Sequence, residues 1–592
     1  MSSVSKSIVS QESKGSVIDT KKPLVEFEID QDVGIGSSII EYSKTNAFQR
    51  FLYKISLQKD TSLTFSEMFL INDDLKPILD ENERPWVWWN YVCFWISDAF
   101  NVNTWQIAAT GVQNGLSWWE TWISVWIGYS CVSFFMYISQ RIGSNYHIAF
   151  PVVIRSSFGI FGSIWPVINR VVMAIIWYSV QAWIGGQCVQ LMLQAVFGAD
   201  IESRIPNGIP NSGTTTFQFL SFFLFCLFSL PFIYCRPQTL RHLFTVKSVA
   251  CSTAGISFLI WTIVRAGGIG PVVHFKTIDK GSKEGWAFVD STMNCIANFA
   301  TLIVNAPDFS RLAKTRKSSS LSQSIAIPCS FAITALIGIL ASSASQSMFG
   351  EIYWSPLDLL TRYVESGSRG DRGGVFLIAF AFALAQVGTN ISANSLSAGT
   401  DSSALLPRYI NIRRGGFICA AIAFCVCPWN FFTSSSNFTT YLSAYAVFLS
   451  SIAGVVSADY TIVRRGYINI FHLYSVDPKL NYSYGKYGIN WRAFVAYICG
   501  IAPNVVGFAG ACGATVPSGA NYIYQLSFFA GYIASFSVYT FLVWISPVKG
   551  MPCKLNEKGW YEEEVDYNVE DFFSETNNNH PNEYNLSKHR LF

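Results

Sequence analysis

The chain has 592 residues, of which 51% are hydrophobic, 16% aromatic and only 13% charged, and its formal net charge is +3. Soluble domains carry about 25% charged residues, so half of the usual surface charge is missing, which excludes a soluble multidomain enzyme and a disordered chain. The small net charge also gives no electrostatic basis for binding nucleic acid. The class that fits is a polytopic membrane protein.

In chain order, residues 1–85 are polar and mixed in charge, without an apolar run of signal length, and read as an N-terminal tail. Beyond them, a window of roughly 20 apolar residues, enough for a bilayer core, predicts twelve helical spans. They fall near 87–112, 119–140, 165–192, 216–234, 244–264, 287–305, 324–347, 375–398, 415–431, 438–457, 493–511 and 520–546. The runs are too long and continuous for the alternating strands of a membrane barrel. Residues 548–592 read as a second tail, with an acidic, disordered stretch from Glu562 to Asp571. Connections on the side of the N-terminus hold the excess of Lys and Arg, which places both tails in the cytosol.

The 14 cysteines are scattered, and Cys425 and Cys427 have no His or Cys partner at ligand spacing. No metal or other cofactor is therefore expected, and the thiols read as small apolar packing groups. Only six His are present, none paired within a span. A membrane-embedded enzyme would need a nucleophile–base pair or a metal cluster, and neither is visible.

Two predicted spans read as broken: the first at Ser97-Asp98-Ala99-Phe100-Asn101-Val102-Asn103, the sixth through Asn294, Asn298, Asn305 and Pro307-Asp308. Polar, interrupted helices are tolerated at membrane depth only against protein or a wet cavity. The two lie five spans apart, and five is odd, so a second five-helix half would run inverted to the first. That gives repeats over 86–265 and 266–460, followed by two further spans in 461–547. Paired interrupted helices in inverted halves point to a secondary transporter site.

The polar residues inside the spans then become candidates. Trp177 and Gln181 are four apart on span three, as are Asn390 and Asn394 on span eight beside Ala385 and Thr389. Trp105 and Gln106 come from span one, Asn298 and Phe299 from span six. Primary amides offer two donors and one acceptor, and aromatic faces stack on flat rings. Together they suit a small, planar, uncharged heterocycle. Asp98, Arg170 and Lys247 are charged residues within or beside spans, candidates for proton transfer, gating or ion pairing. Lys247 lies close enough to a helix end to snorkel. Asp308, Arg311 and Asp401 suggest a cytoplasmic gate or helix-end roles.

The segments FWISDAFNVNTWQIAATG, SFGIFGSIWPVINRVVMAIIWYSVQAWIGG, IANFATLIVNAPDFSR, AQVGTNISANSLSAGTD and SIAGVVSADYTIVRRGYINI resemble the fungal uracil/uridine/allantoin permeases of the nucleobase–cation symporter-1 family, over about residues 65–565. The resemblance implies a LeuT-like fold of two inverted five-helix repeats plus two helices. It implies stacking on Trp177 and hydrogen bonding by Gln181, Asn394 and Gln106, with Asn390 beside them and Phe299 and Asn298 as span-six contacts. Phe438 and Leu442 match a selectivity gate, and Arg170 and Asp401 join the gating set.

Sodium-coupled members match this chain at Ala385 and Thr389 but carry a hydroxyl where Gly388 stands. Loss of that oxygen ligand, and the fungal resemblance, imply proton coupling, with Asp98 and Lys247 as the candidates. The resemblance further implies ubiquitylation of the N-terminal tail, which carries Lys6, Lys14, Lys21 and Lys22. The expected protein is a plasma-membrane proton symporter that imports uracil and whose partners are the pyrimidine, membrane lipid and the ubiquitylation machinery. Uridine and allantoin stay open as substrates, and a nutrient receptor without transport is the rival from another class.

Overall fold

In the computed structural model, the described residues are 54–57 and 65–562, apart from 275–276, 278–279, 354, 433–434, 486 and 556; the side chains of 65–67, 113 and 431–443 also lie outside the description. The chain divides into two compact units, residues 1–56 and 57–592.

The second unit is helical throughout, and among the described residues its nearest approach to a strand is one isolated parallel bridge between Trp86 and Ala313. The first expected span is two 12-residue helices, α1 (Trp88–Ala99) and α2 (Val102–Gln113). Each is about 18 Å long, little more than half a bilayer core. Asn101 separates them with extended backbone, and its side chain accepts from the Asn103 N–H, capping α2. There follow α3 (Trp118–Tyr146), α4 (Phe150–Phe158), α5 (Ile164–Phe197), α6 (Thr216–Ile233), α7 (Leu240–Ala266), α8 (Ser282–Ser310) and α9 (Arg316–Phe349). The chain continues through α10 (Pro356–Ser366), α11 (Arg369–Thr389), α12 (Leu396–Leu405), α13 (Ile412–Phe424), α14 (Ser435–Ala458), α15 (Trp491–Ala511) and α16 (Ser527–Ile545).

Among the described residues ten helices are each long and apolar enough to cross a membrane, so the expected count of twelve is not confirmed. The first span falls short because it is split, the ninth because α13 has only 13 residues. The sixth span is not broken: α8 runs unbroken through Asn294, Asn298, Asn305 and Pro307. Asn298 is satisfied sideways by Asn103 and Tyr129 on neighbouring helices, and Asn294 by Asp290 one turn back on α8, without interrupting the helix.

A π-helical turn, Asn390–Ser395, joins α11 to α12 without ending the helix, and a second, Asp459–Val463, follows α14. Such turns re-aim side chains within a continuous helix and concentrate at functional sites. Helices α1, α2, α3, α8 and α9 pack together, whereas α5 packs on α6, α11 and α12. Helices α14, α15 and α16 form a third cluster, with α14 also against α8.

The connections fall on two faces. On the N-terminal face, Trp86 N–H donates to Leu312 O (3.2 Å) and Lys314 N–H to Trp86 O (2.8 Å), Ile78 N–H to His147 O (3.0 Å), and Phe161 N–H to Gly488 O (3.1 Å). The buried Arg155 guanidinium is held there by the carbonyls of Phe69, Leu70 and Leu473. On the opposite face, Arg372 Nε donates to Ala195 O (2.8 Å) and Trp286 stacks on Tyr522 with ring centroids 4.4 Å apart.

Candidate functional site

The split in the first span faces a small cavity between α1, α2 and α8 on one side and α5 and the π-turn after α11 on the other. Its volume is about 40 Å³, and Asp98, Asn101, Asn103, Trp177, Gln181 and Asn394 are among its walls, with Thr389, Asn298, Phe299, Thr301 and Phe331. One water-sized sphere needs roughly 10–15 Å³, so the cavity holds about three.

Helix α5 presents Trp177 and Gln181 one turn apart. The Trp177 ring meets Tyr445 edge-on at 5.9 Å, and the Tyr445 hydroxyl donates to Ala297 O (2.7 Å), tying α14 to α8 beside the site. Gln181 Oε1 accepts from Asn101 Nδ2 (3.4 Å). Across the cavity, Asn394 Nδ2 donates to Asn390 Oδ1 (2.9 Å), and Asn390 Nδ2 donates to Tyr178 O (3.1 Å). Asn390 therefore stands behind Asn394 and fixes its amide. Gln181 Nε2 and Asn394 Oδ1 have no bond within the described protein, and both residues line one hollow.

On the α8 side, Asn298 Oδ1 accepts from Asn103 Nδ2 (2.9 Å) and Asn298 Nδ2 donates to the Tyr129 hydroxyl (3.3 Å). Phe299 lies in an aromatic cluster with Trp95, Tyr129 and Phe331, at centroid distances of 5.0–5.5 Å. Of the α2 pair, Gln106 is buried but is not among the cavity walls, and Trp105 packs on Phe258 at 5.4 Å. The amides that α2 and its cap bring to the site are Asn103 and Asn101. In the sequence they mark a broken helix, and Gln106 shares the face of Asn103 one turn further along α2, beyond the cavity walls.

Beside the cavity lies a polar line through three helices. Lys247 Nζ on α7 donates to Thr389 Oγ1 (2.7 Å), which donates to Asp98 Oδ1 (3.1 Å) and accepts from Asn101 Nδ2 (3.3 Å). A hydroxyl has one proton and two lone pairs, so Thr389 is saturated. Gly388 makes this possible, because a Cβ there would lie 2.6 Å from Lys247 Cδ. Lys247 is 1% exposed, so it does not snorkel to an interface. Ala385 is fully buried one turn earlier.

Toward the N-terminal face, Arg170 on α5 donates through Nε to Asp401 Oδ2 (2.7 Å) on α12, and its Nη2 lies 3.4 Å from Asp308 Oδ2 on α8. Asp308 Oδ1 accepts from the Phe150 N–H (2.9 Å). With its amide turned to satisfy its neighbours, Asn305 accepts from Arg170 Nη1 (2.8 Å). Three helices thus meet on one guanidinium that is wholly out of solvent. Arg311 is nearby but donates instead to Asp74 O (3.2 Å). Phe438 and Leu442 lie on α14, and their side chains fall outside the described residues.

Comparison with known proteins places this geometry in context. A family profile described as "Permease for cytosine/purines, uracil, thiamine, allantoin" matches residues 77–531. Three curated proteins of Saccharomyces cerevisiae are each 49% identical: an allantoin permease over 89% of this chain and 84% of its own length, a uridine permease over 93% and 85%, and a uracil permease over 90% and 86%. Among solved structures, Mhp1, a nucleobase-cation-symport-1 transporter in a closed conformation with bromovinylhydantoin bound, superposes with a TM-score of 0.65. It shares 20% identity and covers 83% of this chain and 98% of its own. That likeness shows a common LeuT-like fold.

Proposed function

The chain belongs to the family of permeases for cytosine/purines, uracil, thiamine and allantoin, and from that premise we propose that it imports uracil together with a proton by alternating access. It is a multi-pass membrane transporter, not an enzyme. The proposed setting is the plasma membrane with both tails in the cytosol, two inverted repeats (86–265 and 266–460) framing the site, two accessory spans (461–547) and an N-terminal tail open to ubiquitylation.

The observation that carries the substrate reading is the unused donor–acceptor pair of Gln181 and Asn394. A cyclic imide or ureide presents C=O and N–H side by side. Gln181 Nε2 donates to the first and Asn394 Oδ1 accepts from the second, while Trp177 supplies the stacking face. Phe299, with Asn298 and Asn103, forms the far wall, and Asn390 holds Asn394. Of the three substrates in the relatives' names, the single pyrimidine ring demands the least expansion of a cavity of about 40 Å³.

Proton coupling is supported by the saturation of Thr389. An alkali cation needs several oxygen ligands in place of its water; Thr389 has no lone pair left, Gly388 and Ala385 bring no side-chain oxygen, and the Gly388 carbonyl already accepts from the Ser392 hydroxyl. Lys247 already places a positive charge there. In this reading Asp98 takes the proton, and its neutral form loosens the line to Thr389 and Lys247. Arg170, Asp401 and Asp308 close the cytosolic side, with Phe438 and Leu442 as the gate near α14.

Uptake of labelled uracil in competition with uridine, allantoin, cytosine and thiamine, in vesicles under a pH gradient, tests the reading. Uracil should compete best and accumulate only with the gradient. Gln181→Ala should abolish uptake while the protein still reaches the surface. Normal uptake by that variant would end the site assignment, and saturable binding without accumulation would favour a receptor.

A further inference from the structure

The acidic run near the C-terminus begins with a residue that is not disordered. Glu562 is 2% exposed, and residues 563–592 lie beyond the description. Its carboxylate accepts from Arg141 Nε (2.7 Å) and Nη2, and sits 2.5 Å from Arg316 Nη2. The Tyr460 hydroxyl and Trp560 Nε1 (3.0 Å) also donate to it. Arg141 lies five residues before the end of α3, Arg316 opens α9, and Tyr460 lies in the π-turn after α14.

The segment that delivers Glu562 is laid down by backbone contacts. Arg464 Nη1 donates to Lys549 O (2.7 Å) and Gly550 O (3.0 Å), Arg465 Nη2 donates to Leu555 O (2.5 Å), and Tyr561 N–H donates to Arg465 O (2.8 Å). Gly466, at φ +85°, opens the space. A Cβ there would lie 2.8 Å from both Glu562 Cβ and Trp560 Cε2. Charge, backbone pairing and a glycine without which the strap cannot lie flat are three separate features of one contact.

Helices α3 and α9 pack along each other and on α1 and α8, whereas α14 packs chiefly on α15, α16 and α8 and barely touches α3. Glu562 therefore joins the ends of α3, α9 and α14 at the N-terminal face, adding charge to a contact in which the Tyr146 hydroxyl at the end of α3 donates to Gly466 O (2.5 Å) and accepts from the Ile468 N–H (3.0 Å). A buried carboxylate of this kind is stable only while its cations stay in place. We propose that residues 549–562 are a latch: Glu562 pins the ends of α3, α9 and α14 together and holds the N-terminal face shut, and the latch releases when the protein opens to that side. This rests on the alternating-access reading.

The test uses the full-length protein with Glu562→Gln, which keeps size but removes the charge, and Gly466→Ala, which leaves every charge in place. Trypsin acts at Lys554 and Lys558 in the strap, and both variants should be cut there at least tenfold faster than the parent chain. In transport assays both should show a KM for external substrate raised at least fivefold, with faster efflux from preloaded vesicles at equal surface level. Unchanged cleavage would show that Glu562 does not hold the strap, and faster cleavage with unchanged KM and efflux would show a strap that is no latch. Either result overturns the proposal. Absence of uptake by the parent chain would instead overturn the transport reading, and the cleavage comparison would still report on docking.

Discussion

Lys247 and Gly388 occupy one space: the lysine stem fills the volume that a side chain at residue 388 would take, with only 2.6 Å between Lys247 Cδ and the position of a Cβ. The ammonium reaches Thr389 because its neighbour in sequence has no side chain. The polar line from α7 through α11 to α1 therefore depends on a missing methyl group as much as on its charged ends.

Gly388→Ala should displace Lys247 from Thr389 and cut uptake at least tenfold. Lys247→Met should leave residual uptake insensitive to an imposed pH gradient. Initial rates in vesicles, with and without the gradient, measure both. A Lys247→Met protein with full gradient-driven accumulation would remove Lys247 from the coupling path.

Asn390 touches the Asn394 amide and the Tyr178 carbonyl, so Asn390→Ala frees the Asn394 side chain without removing it. Loss of one ordering hydrogen bond is worth about 1 kcal/mol, and the expected result is a KM raised about fivefold. An unchanged KM would show that Asn394 is oriented by its helix alone.

Arg170→Ala would leave Asp308 and Asp401 buried without their shared cation, which destabilises by about 3–5 kcal/mol for such pairs. Thermal unfolding of the purified protein should fall sharply. Neutralising all three members, Arg170→Met with Asp401→Leu and Asp308→Asn, which keeps an acceptor for the Phe150 N–H, should recover much of the loss while transport stays absent. Equal melting of the single variant and the parent would contradict the ion-pair reading.

His147 caps α3 at φ +52° just outside the span. Its Nε2 lies 2.5 Å from Arg84 Nη1 and its Nδ1 3.2 Å from Arg311 O. Burial, reinforced by the Arg84 charge, lowers its pKa to about 4. The ring is therefore neutral in the fold: it accepts from Arg84 and donates to the carbonyl. Its contribution is fully present above the ordinary value of 6.5 and is lost as pH falls through about 4, by up to about 3 kcal/mol. Asn tolerates this backbone, so His147→Asn should flatten the fall in thermal stability across that range. A variant with the parent's pH slope would assign the slope elsewhere.

What the sequence discloses follows the range of the forces involved. The first span announces its split because Asp98, Asn101 and Asn103 crowd a stretch that lipid would reject. The sixth carries as many amides, yet α8 is continuous, since Asn298 and Asn305 find partners on α2, α3 and α5 that no local pattern reveals. Trp177, Gln181 and Asn394 do line one cavity, and their spacing along the helices made them visible. The π-turn at Asn390–Ser395 has no mark in composition, because it differs from an α-turn by a single residue of register. The same holds for Glu562: one acidic residue in an acidic run, distinguished only by two arginines more than 200 positions away.

The backbone pairing of Trp86 with Leu312 and Lys314 ties the start of α1 to the end of α8, the two helices on one side of the cavity. Such a seam is written in main-chain atoms, so ordinary side-chain replacement leaves it intact and only proline removes a donor from it. Cavity residues can thus be exchanged while the start of α1 and the end of α8 stay joined.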